Sequence, residues 1–189
     1  PIILKERQKP LAYRLVQPNI GNFLKLSSER GSLSSLTQVY ELYQEFSLKI
    51  PLKENRLIIW PETAFPDLLH SQSLRKNLSI TPKSIQSVLK QSASPILTGG
   101  YDSAQSHDAF YMSQYNSAFL FLPSLGLKEV YHKKKLIPFG EGLPFGSFNK
   151  WIAKYIPNIS FFAKGKRFPL FELPDQKFIV AICYEVLFS

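Results

Sequence analysis

Apolar and polar positions along the first hundred residues alternate between strand-like and helix-like patterns. Short apolar runs bounded by proline or glycine predict strands, and longer segments with apolar residues at helical spacing predict helices. The predicted strands are 12–17, 56–60 and 95–100, and the predicted helices are 34–49 and 82–91. Pro82 falls in the first turn of the second helix, where proline is well tolerated. This alternation is typical of α/β proteins.

The second half of the chain predicts further strands and one long loop. Residues 115–123 and 127–134 flank the triplet Ser-Leu-Gly and predict a hairpin. Residues 139–167 have weak periodicity with proline and glycine breaks, which indicates a loop with short helical pieces. The last predicted strands are 168–173 and 178–182.

Together these elements predict an α/β fold around a mixed sheet. Two helices would cover one face of the sheet, so a second sheet is the natural partner for the other face. The chain has 189 residues, of which 44% are hydrophobic and 20% charged, as expected for one folded domain. We interpret residues 1–10 as a leader or linker and residues 11–189 as the domain. No run approaches the roughly 18 apolar residues that a membrane helix needs.

The formal charge of +9 is concentrated in one region of the sequence. Residues 128–167 contain nine Lys or Arg against two acids, interspersed with large aromatic residues. Cations mixed with aromatic rings suit a membrane interface, and the same mixture can stack bases and bind nucleic-acid phosphates. A solvated basic loop with some aromatic residues in the core is the third interpretation.

Three polar residues lie at or near the ends of predicted strands, where α/β proteins place their sites. They are Glu62, Lys133 and the single cysteine, Cys183. A cysteine is nucleophilic as the thiolate, so a neighbouring base must take its proton. A carboxylate in an apolar pocket can be that base, and an ammonium can stabilise the oxyanion formed on a carbonyl. Each residue also has a structural alternative: a turn carboxylate, an exposed lysine run and a buried small hydrophobe.

Histidine is the usual base for a cysteine, but the three histidines fit poorly. His70 and His107 lie in polar, loop-like stretches. His132 precedes Lys133, and neighbouring side chains on a strand point to opposite faces. If 127–134 is a strand, Lys133 and Lys135 can therefore face one site together, whereas His132 and Lys133 cannot. A Cys–His pair is the less favoured alternative.

Several motifs resemble, in order, those of the nitrilase-like domain of the apolipoprotein N-acyltransferase family. They are IIWPETAFP at 58–66, LTGGYD at 97–102, YNSAFLF at 115–121, YHKKKLIPFGEGLPF at 131–145 and AICYEVLF at 181–188. The resemblance extends from about Leu11 to the end of the chain. It implies a nitrilase-like αββα sandwich with mixed sheets, truncated after the nucleophile strand.

The resemblance also implies roles for individual residues. Glu62 matches the general base, Lys133 the lysine that stabilises the oxyanion, and Cys183 the nucleophile. Supporting roles fall on Glu141, Tyr184 and Glu185. The aromatic residues that would contact substrate or membrane are Phe139, Phe145, Phe148, Trp151, Phe161 and Phe162.

The implied reaction moves an acyl chain from a membrane phospholipid, through a thioester, to the N-terminal amine of a diacylglyceryl-cysteine lipoprotein. No cofactor, metal or nucleic acid is implied, and we expect a monomer. The implied location is the bacterial inner membrane, with the domain on its periplasmic side and transmembrane helices outside this chain. A soluble carbon–nitrogen hydrolase acting on a small amide or nitrile, or an inactive lipid-binding remnant, are the alternatives.

The sequence departs from the family pattern at three places. The family usually has a tryptophan shortly after the motif VQPNI, where this chain has Phe23 and Leu26. Lys135 stands where the family often has histidine. The family domain continues past the cysteine, so we expect the catalytic domain to be incomplete at Ser189.

Two further features bear on the predicted site. Gly99 and Gly100 would let other backbone approach closely, although a tight turn is the commoner use of such glycines. Asn116 would orient a neighbour or an acyl carbonyl, but we expect it instead to make a hydrogen bond at a strand edge.

Overall fold

A computed structural model of the chain describes residues 10–49, 57–76, 79–104, 114–143, 148 and 162–188. Its helices are α1 (Asn22–Glu29), α2 (Leu33–Leu48), α3 (Ser71–Arg75) and α4 (Lys83–Ser92). Its strands are β1 (Tyr13–Leu15), β2 (Leu57–Ile59), β3 (Phe65–Leu68), β4 (Ile96–Ser103), β5 (Gln114–Leu122), β6 (Gly126–His132), β7 (Phe171–Leu173) and β8 (Gln176–Phe178). A 3₁₀ helix follows at Cys183–Phe188. Most of the predicted loop 139–167 lies outside the described residues.

The main sheet is mixed, as predicted. Its strand order is β1-β2-β4-β5-β6, and β3 lies beside β4. β1, β2 and β4 are parallel, whereas β5 and β6 form the predicted antiparallel hairpin. The hairpin register pairs Ser117 of β5 with His132 of β6. β6 ends at His132, two residues before the predicted end of that strand.

One face of the sheet packs against α2 and α4 in a large apolar core. The buried side chains of this core include Ile58, Phe119 and Phe121 from strands, and Val39, Tyr43, Ile85 and Val88 from the helices. The predicted helix at 34–49 is confirmed as α2. Val39 and Tyr43 point into this core, whereas Phe46, which continues the same spacing, is 36% exposed. Removing this apolar surface from water supplies the main force that holds the helices on the sheet.

The other face of the sheet packs against the second, two-stranded sheet of β7 and β8. Ala118, Leu120 and Tyr131 form a cluster there with Phe171 of β7 and with Ile182. A sheet layer thus covers the face that the helices leave open, as predicted. Helices, main sheet and second sheet form successive layers.

The predicted strand at 178–182 is wrong in its bounds. β8 covers Gln176–Phe178 and pairs with β7. Residues 179–182 keep an alternating burial, with Ile179 64% exposed and Ile182 6% exposed, but no strand of the described residues pairs with them. An alternating apolar run predicts extended chain, and it does not specify a hydrogen-bonding partner.

The sequence analysis did not predict α1, β3 or α3, nor the 3₁₀ helix at Cys183–Phe188. α1 begins after Gly21 without a side-chain cap and without an acidic residue in its first turn. β3 contains Pro66, which argues against a strand, and α3 has only five residues. The local sequence therefore gives no clear pattern for α1, β3 or α3. Within the described ranges, no helix combines the length and the apolar character that crossing a bilayer requires.

Candidate active site

Glu62 lies three residues after the end of β2, and Trp60 between them is anchored to the rest of the fold. The Trp60 ring is buried, and its Nε1 donates a hydrogen bond of 2.9 Å to Ser47 Oγ of α2. The backbone N–H of Trp60 donates to Leu97 O of β4 at 2.8 Å. Trp60, which begins the turn that carries Glu62, is therefore held by both α2 and β4.

Gly99 lets this turn lie directly against β4. A Cβ atom at Gly99 would lie 2.5 Å from Pro61 O, 2.7 Å from Glu62 Cα and 2.8 Å from Thr63 N. No side chain fits at these distances, so only glycine allows the approach. The prediction that glycine permits close backbone approach is confirmed at this position.

Lys133 lies just past the end of β6, and its side chain is completely buried. Its Nζ donates to Glu141 Oε1 at 2.7 Å and lies 3.7 Å from Glu62 Oε1. A buried ammonium is tolerated only when it is paired, and here two carboxylates supply the pairing. Lys135 does not join this group, because its Nζ lies 5.6 Å from the centre of the Phe188 ring.

Asn116 of β5 links the two carboxylates. Its Nδ2 donates to Glu62 Oε1 at 2.8 Å and is 3.4 Å from Glu141 Oε1. Our expectation of a strand-edge hydrogen bond for the Asn116 side chain is wrong, since that side chain orients a neighbour. The backbone N–H of Lys133 donates to Asn116 O at 2.8 Å, so the hairpin itself brings these residues together.

A tight turn of the backbone presents Glu141 to Lys133. Glu141 N donates to Ile137 O at 2.9 Å, and Ile137 N donates back to Glu141 Oε2 at 3.0 Å. Both carboxylate oxygens therefore have partners. Glu62, Lys133, Glu141 and Asn116 form a cluster in which one cation faces two acids, and we call it the charge cluster.

Cys183 lies at the start of the 3₁₀ helix and adopts a left-handed backbone conformation with φ of 53°. This conformation is strained for a residue other than glycine, and such strain often accompanies function. Cys183 is exposed. It lines a cavity of about 270 Å³ together with Trp60, Glu62, Gly99, Ser117 and Ala118. Cys183 and Glu62 thus line one cavity, whereas Lys133 is not among its lining residues.

Glu185 is buried and connects the cysteine turn to the residues after β6. Its Oε1 accepts hydrogen bonds from Tyr131 OH at 2.6 Å and from the backbone N–H groups of Lys134 and Lys135 at 2.8 and 2.7 Å. Its Oε2 accepts from Ile182 N at 2.9 Å. Burial, followed by the hydrogen bond to Glu185, raises the pKa of Tyr131 well above its usual range. Glu185 therefore fixes the backbone on either side of the site.

The remaining predicted site residues that the structure describes are Tyr184 and three of the aromatic residues predicted to contact substrate or membrane. Tyr184 packs edge-on against Phe188, with ring centres 5.0 Å apart. Phe139 and Phe148 are 57% and 69% exposed, whereas Phe162 stacks on Tyr101 at 5.8 Å. Phe145, Trp151 and Phe161 lie outside the described residues. The part of the chain that the structure describes contains no group of three or more His, Cys, Asp or Glu side chains arranged to hold a metal ion.

Sequence reasoning missed how Glu185 and Asn116 act within this arrangement. A signal for Asn116 was present, because the predicted hairpin pairs residues 115–123 with 127–134 and so brings Asn116 close to Lys133. The contacts of Glu185 carry no such signal, since they join residues about 50 positions apart through backbone N–H groups.

Comparison with known proteins gives both a family and similar full-length proteins. The carbon-nitrogen hydrolase family matches residues 14–189. The apolipoprotein N-acyltransferase of Bdellovibrio bacteriovorus is 34% identical over 80% of this chain and 28% of its own length. The apolipoprotein N-acyltransferase of Chlorobaculum tepidum is 26% identical over 92% of this chain and 35% of its own length. The chain therefore spans about a third of the length of these relatives.

The fold is also similar to that of a solved structure. A CN-hydrolase superfamily protein from Xanthomonas campestris, with an arsenic adduct in its active site, superposes with a TM-score of 0.52 at 15% identity. The match covers 96% of this chain and 54% of that one. At this level of identity the comparison supports the fold alone, and it agrees with the predicted nitrilase-like sandwich.

Proposed function

Because this chain belongs to the carbon–nitrogen hydrolase family, we propose that its domain, residues 11–189, transfers an acyl chain through a thioester on Cys183. The donor is a membrane phospholipid, and the acceptor is the N-terminal amine of a diacylglyceryl-cysteine lipoprotein. The similarity to apolipoprotein N-acyltransferases supports this choice of donor and acceptor.

In the first half-reaction, Glu62 takes the thiol proton and Cys183 attacks the carbonyl carbon of the phospholipid ester. The Lys133 ammonium stabilises the oxyanion of the tetrahedral intermediate. The intermediate collapses by breaking the ester C–O bond, and the departing lysophospholipid oxygen takes the proton from Glu62. The products are a thioester on Cys183 and a lysophospholipid.

In the second half-reaction, the acceptor amine attacks the thioester carbonyl and Glu62 takes a proton from the amine. Collapse of this second intermediate breaks the C–S bond and forms the amide. The thiolate of Cys183 recovers its proton from Glu62, so the enzyme returns to its starting state. A single base that takes and returns a proton in each half-reaction is sufficient.

The observation that carries this proposal is the complete burial of Lys133 between Glu62 and Glu141. A lysine that served only solubility would lie at the surface, as lysines usually do. Glu141 holds the Lys133 ammonium and Asn116 holds the Glu62 carboxylate. Glu62 also lines the cavity that Cys183 lines. Preorganised charge of this kind is the main source of catalysis at carbonyl centres.

We further propose that the domain meets lipid through the loop that follows Lys133. The exposed side chains of Phe139 and Phe148 support this, because exposed aromatic rings favour the membrane interface. The proposed location is the periplasmic side of the bacterial inner membrane, and the proposed state is a monomer.

The acyl-enzyme can be tested by intact mass measurement after incubating the protein with phospholipid vesicles. We expect a mass increase equal to one acyl chain, located on the peptide that contains Cys183 and absent from Cys183→Ala. Lys135→Ala is the matched control and should still acquire the acyl chain. If no acyl-enzyme forms and the protein hydrolyses small amides, the result contradicts acyl transfer and favours a soluble hydrolase.

A further inference from the structure

A second cavity, of about 490 Å³, lies apart from the charge cluster and from the cavity of Cys183. Its lining is largely polar and basic. The residues with charged or hydrogen-bonding side chains at its wall include Ser71, Arg75, Asp102, His132, Lys166 and Arg167. None of them belongs to the charge cluster or lines the cavity of Cys183.

The pleat of the hairpin separates this cavity from the candidate active site. On β5, Phe119 and Phe121 point into the core beneath the helices, whereas Ala118 and Leu120 point to the second sheet. Ser117 lies two positions before Phe119 on β5 and therefore on the same face of the sheet. Ser117 pairs with His132. His132 therefore lies on the helix-covered face, and Lys133 points to the opposite face.

Hydrogen bonds among three lining residues, Ser71, Asp102 and His132, fix one wall of the cavity. Asp102 Oδ2 pairs with His132 Nε2 at 2.7 Å and also accepts from Ser71 Oγ, and its Oδ1 accepts from Ser71 N at 2.8 Å. The His132 ring stacks on Tyr115 with ring centres 4.0 Å apart. The Asp102 carboxylate is thus already satisfied by protein groups, and His132 is fixed at the wall.

The wall of the cavity carries more positive than negative charge. Arg75 and Arg167 both contact the same oxygen, Glu129 Oε1, at 2.8 and 3.2 Å. Two guanidinium groups therefore share one carboxylate, and the exposed Lys166 adds a third cation. Among the described lining residues the only carboxylate is that of Asp102, whose oxygens already have hydrogen-bond partners. A cation excess in a concave site favours an anionic ligand.

We propose that this cavity binds a phosphate group, supplied by a lipid headgroup or by a soluble phosphate ester. Phosphate offers several oxygens to the planar fork of a guanidinium, and arginine binds it in a bidentate manner. The cavity volume lies within the range of small-molecule sites. The proposal does not depend on acyl transfer, because its residues take no part in the charge cluster.

Titration of the protein with inorganic phosphate at low ionic strength tests the proposal. We expect saturable binding, weakened roughly tenfold in Arg167→Ala and in Lys166→Ala. Lys177→Ala is the matched control, because Lys177 is an exposed cation paired with Glu172 on the second sheet, and it should bind as the unchanged protein does. Thermal unfolding of each variant checks that the fold is retained.

A second arm of the experiment separates the two sources of phosphate. If the source is a lipid, Arg167→Ala and Lys166→Ala weaken flotation with phosphatidylglycerol vesicles, whereas Lys177→Ala does not. If the source is soluble, glycerol phosphate competes with inorganic phosphate and the variants float as before. Absence of saturable phosphate binding, or equal binding by all variants, overturns the proposal. The alkylation rate of Cys183 should not change in Lys166→Ala, so this result stays independent of the proposed acyl transfer.

Discussion

Gly99 lies so close beneath Glu62 that a Cβ atom at Gly99 would lie 2.7 Å from the Glu62 Cα. The position of the proposed base is therefore set by the absence of a side chain on the neighbouring strand. Glu62 in turn meets Lys133 and Asn116, so a displacement of this turn reaches the whole charge cluster.

Gly99→Ala should move the Glu62 turn and lower acyl-enzyme formation by roughly 10²-fold or more, since small displacements of a catalytic group are costly. The rate of acyl-enzyme formation measures this effect. Gly21→Ala is the control, because a Cβ there meets nothing within 4 Å. Equal activity of the two variants would show that the Gly99 contact does not position Glu62.

Lys133→Ala should reduce acyl-enzyme formation by roughly 10²- to 10³-fold, as the loss of one oxyanion-stabilising group typically does. The Lys135→Ala variant should retain activity, because Lys135 lies over the Phe188 ring instead of between the carboxylates. Comparing the acylation rates of the two variants decides between the lysines. A large loss in Lys135→Ala with full activity in Lys133→Ala would contradict the assignment.

Glu185→Gln should lower the stability of the protein and slow the reaction of Cys183. The carboxylate oxygens accept four hydrogen bonds, and an amide NH₂ group in place of one oxygen would face N–H and O–H donors. Each buried donor left without an acceptor costs about 1–3 kcal/mol. Chemical denaturation measures the free energy of unfolding, and Glu172→Gln on the exposed edge of β7 serves as the comparison. Similar stability for both variants would show that Glu185 does not fix the turn.

Cys183→Gly should be more stable than Cys183→Ala by about 1 kcal/mol, because glycine adopts a positive φ without the steric penalty of a Cβ atom. Both substitutions remove the thiol, so the comparison isolates the backbone. Thermal unfolding of the two variants measures the difference. Greater stability of the alanine variant would mean that Cys183 carries no strain.

The stability of the protein should depend on pH through Asp102. Burial alone would raise the pKa of Asp102, but hydrogen bonds from His132 and Ser71 outweigh it and hold the pKa below its ordinary value of 3.8. The folded-state pKa is therefore lower than that of the unfolded chain. Asp102 then contributes stability above about pH 4, and this contribution is lost as the pH falls through the folded-state pKa.

Asp102→Asn should accordingly make unfolding less dependent on pH between about pH 5 and pH 2. The free energy of unfolding, followed across this range, tests the expectation. Asp175→Asn, in the exposed turn between β7 and β8, is the control and should keep the slope of the unchanged protein. If the free energy of unfolding of Asp102→Asn depends on pH as it does in the unchanged protein, Asp102 does not contribute to the loss of stability in acid.

Local patterns in the sequence were sufficient to predict the hairpin, α2 and α4, and the separation of His132 from Lys133. These features depend on alternation and turn residues, which are local. The sequence was insufficient where an atom far along the chain decides the structure. Glu185 accepts from backbone N–H groups about 50 residues away. The positive φ of Cys183 is uncommon for a residue with a side chain, so the residue type does not predict it. The apolar run 178–182 likewise predicted an extended segment without specifying its partner.

The reactivity of Cys183 tests the central claim most directly, because it is the only cysteine in the chain and alkylation reports on it alone. The measurement is the rate of reaction with iodoacetamide at neutral pH in the unchanged protein, Glu62→Gln and Lys133→Ala. We expect the unchanged protein to react faster than a free thiol and both variants to react more slowly than it does. A folded protein whose Cys183 reacts at the rate of a free thiol, unaffected by either substitution, would contradict the claim that Glu62 and Lys133 activate this cysteine.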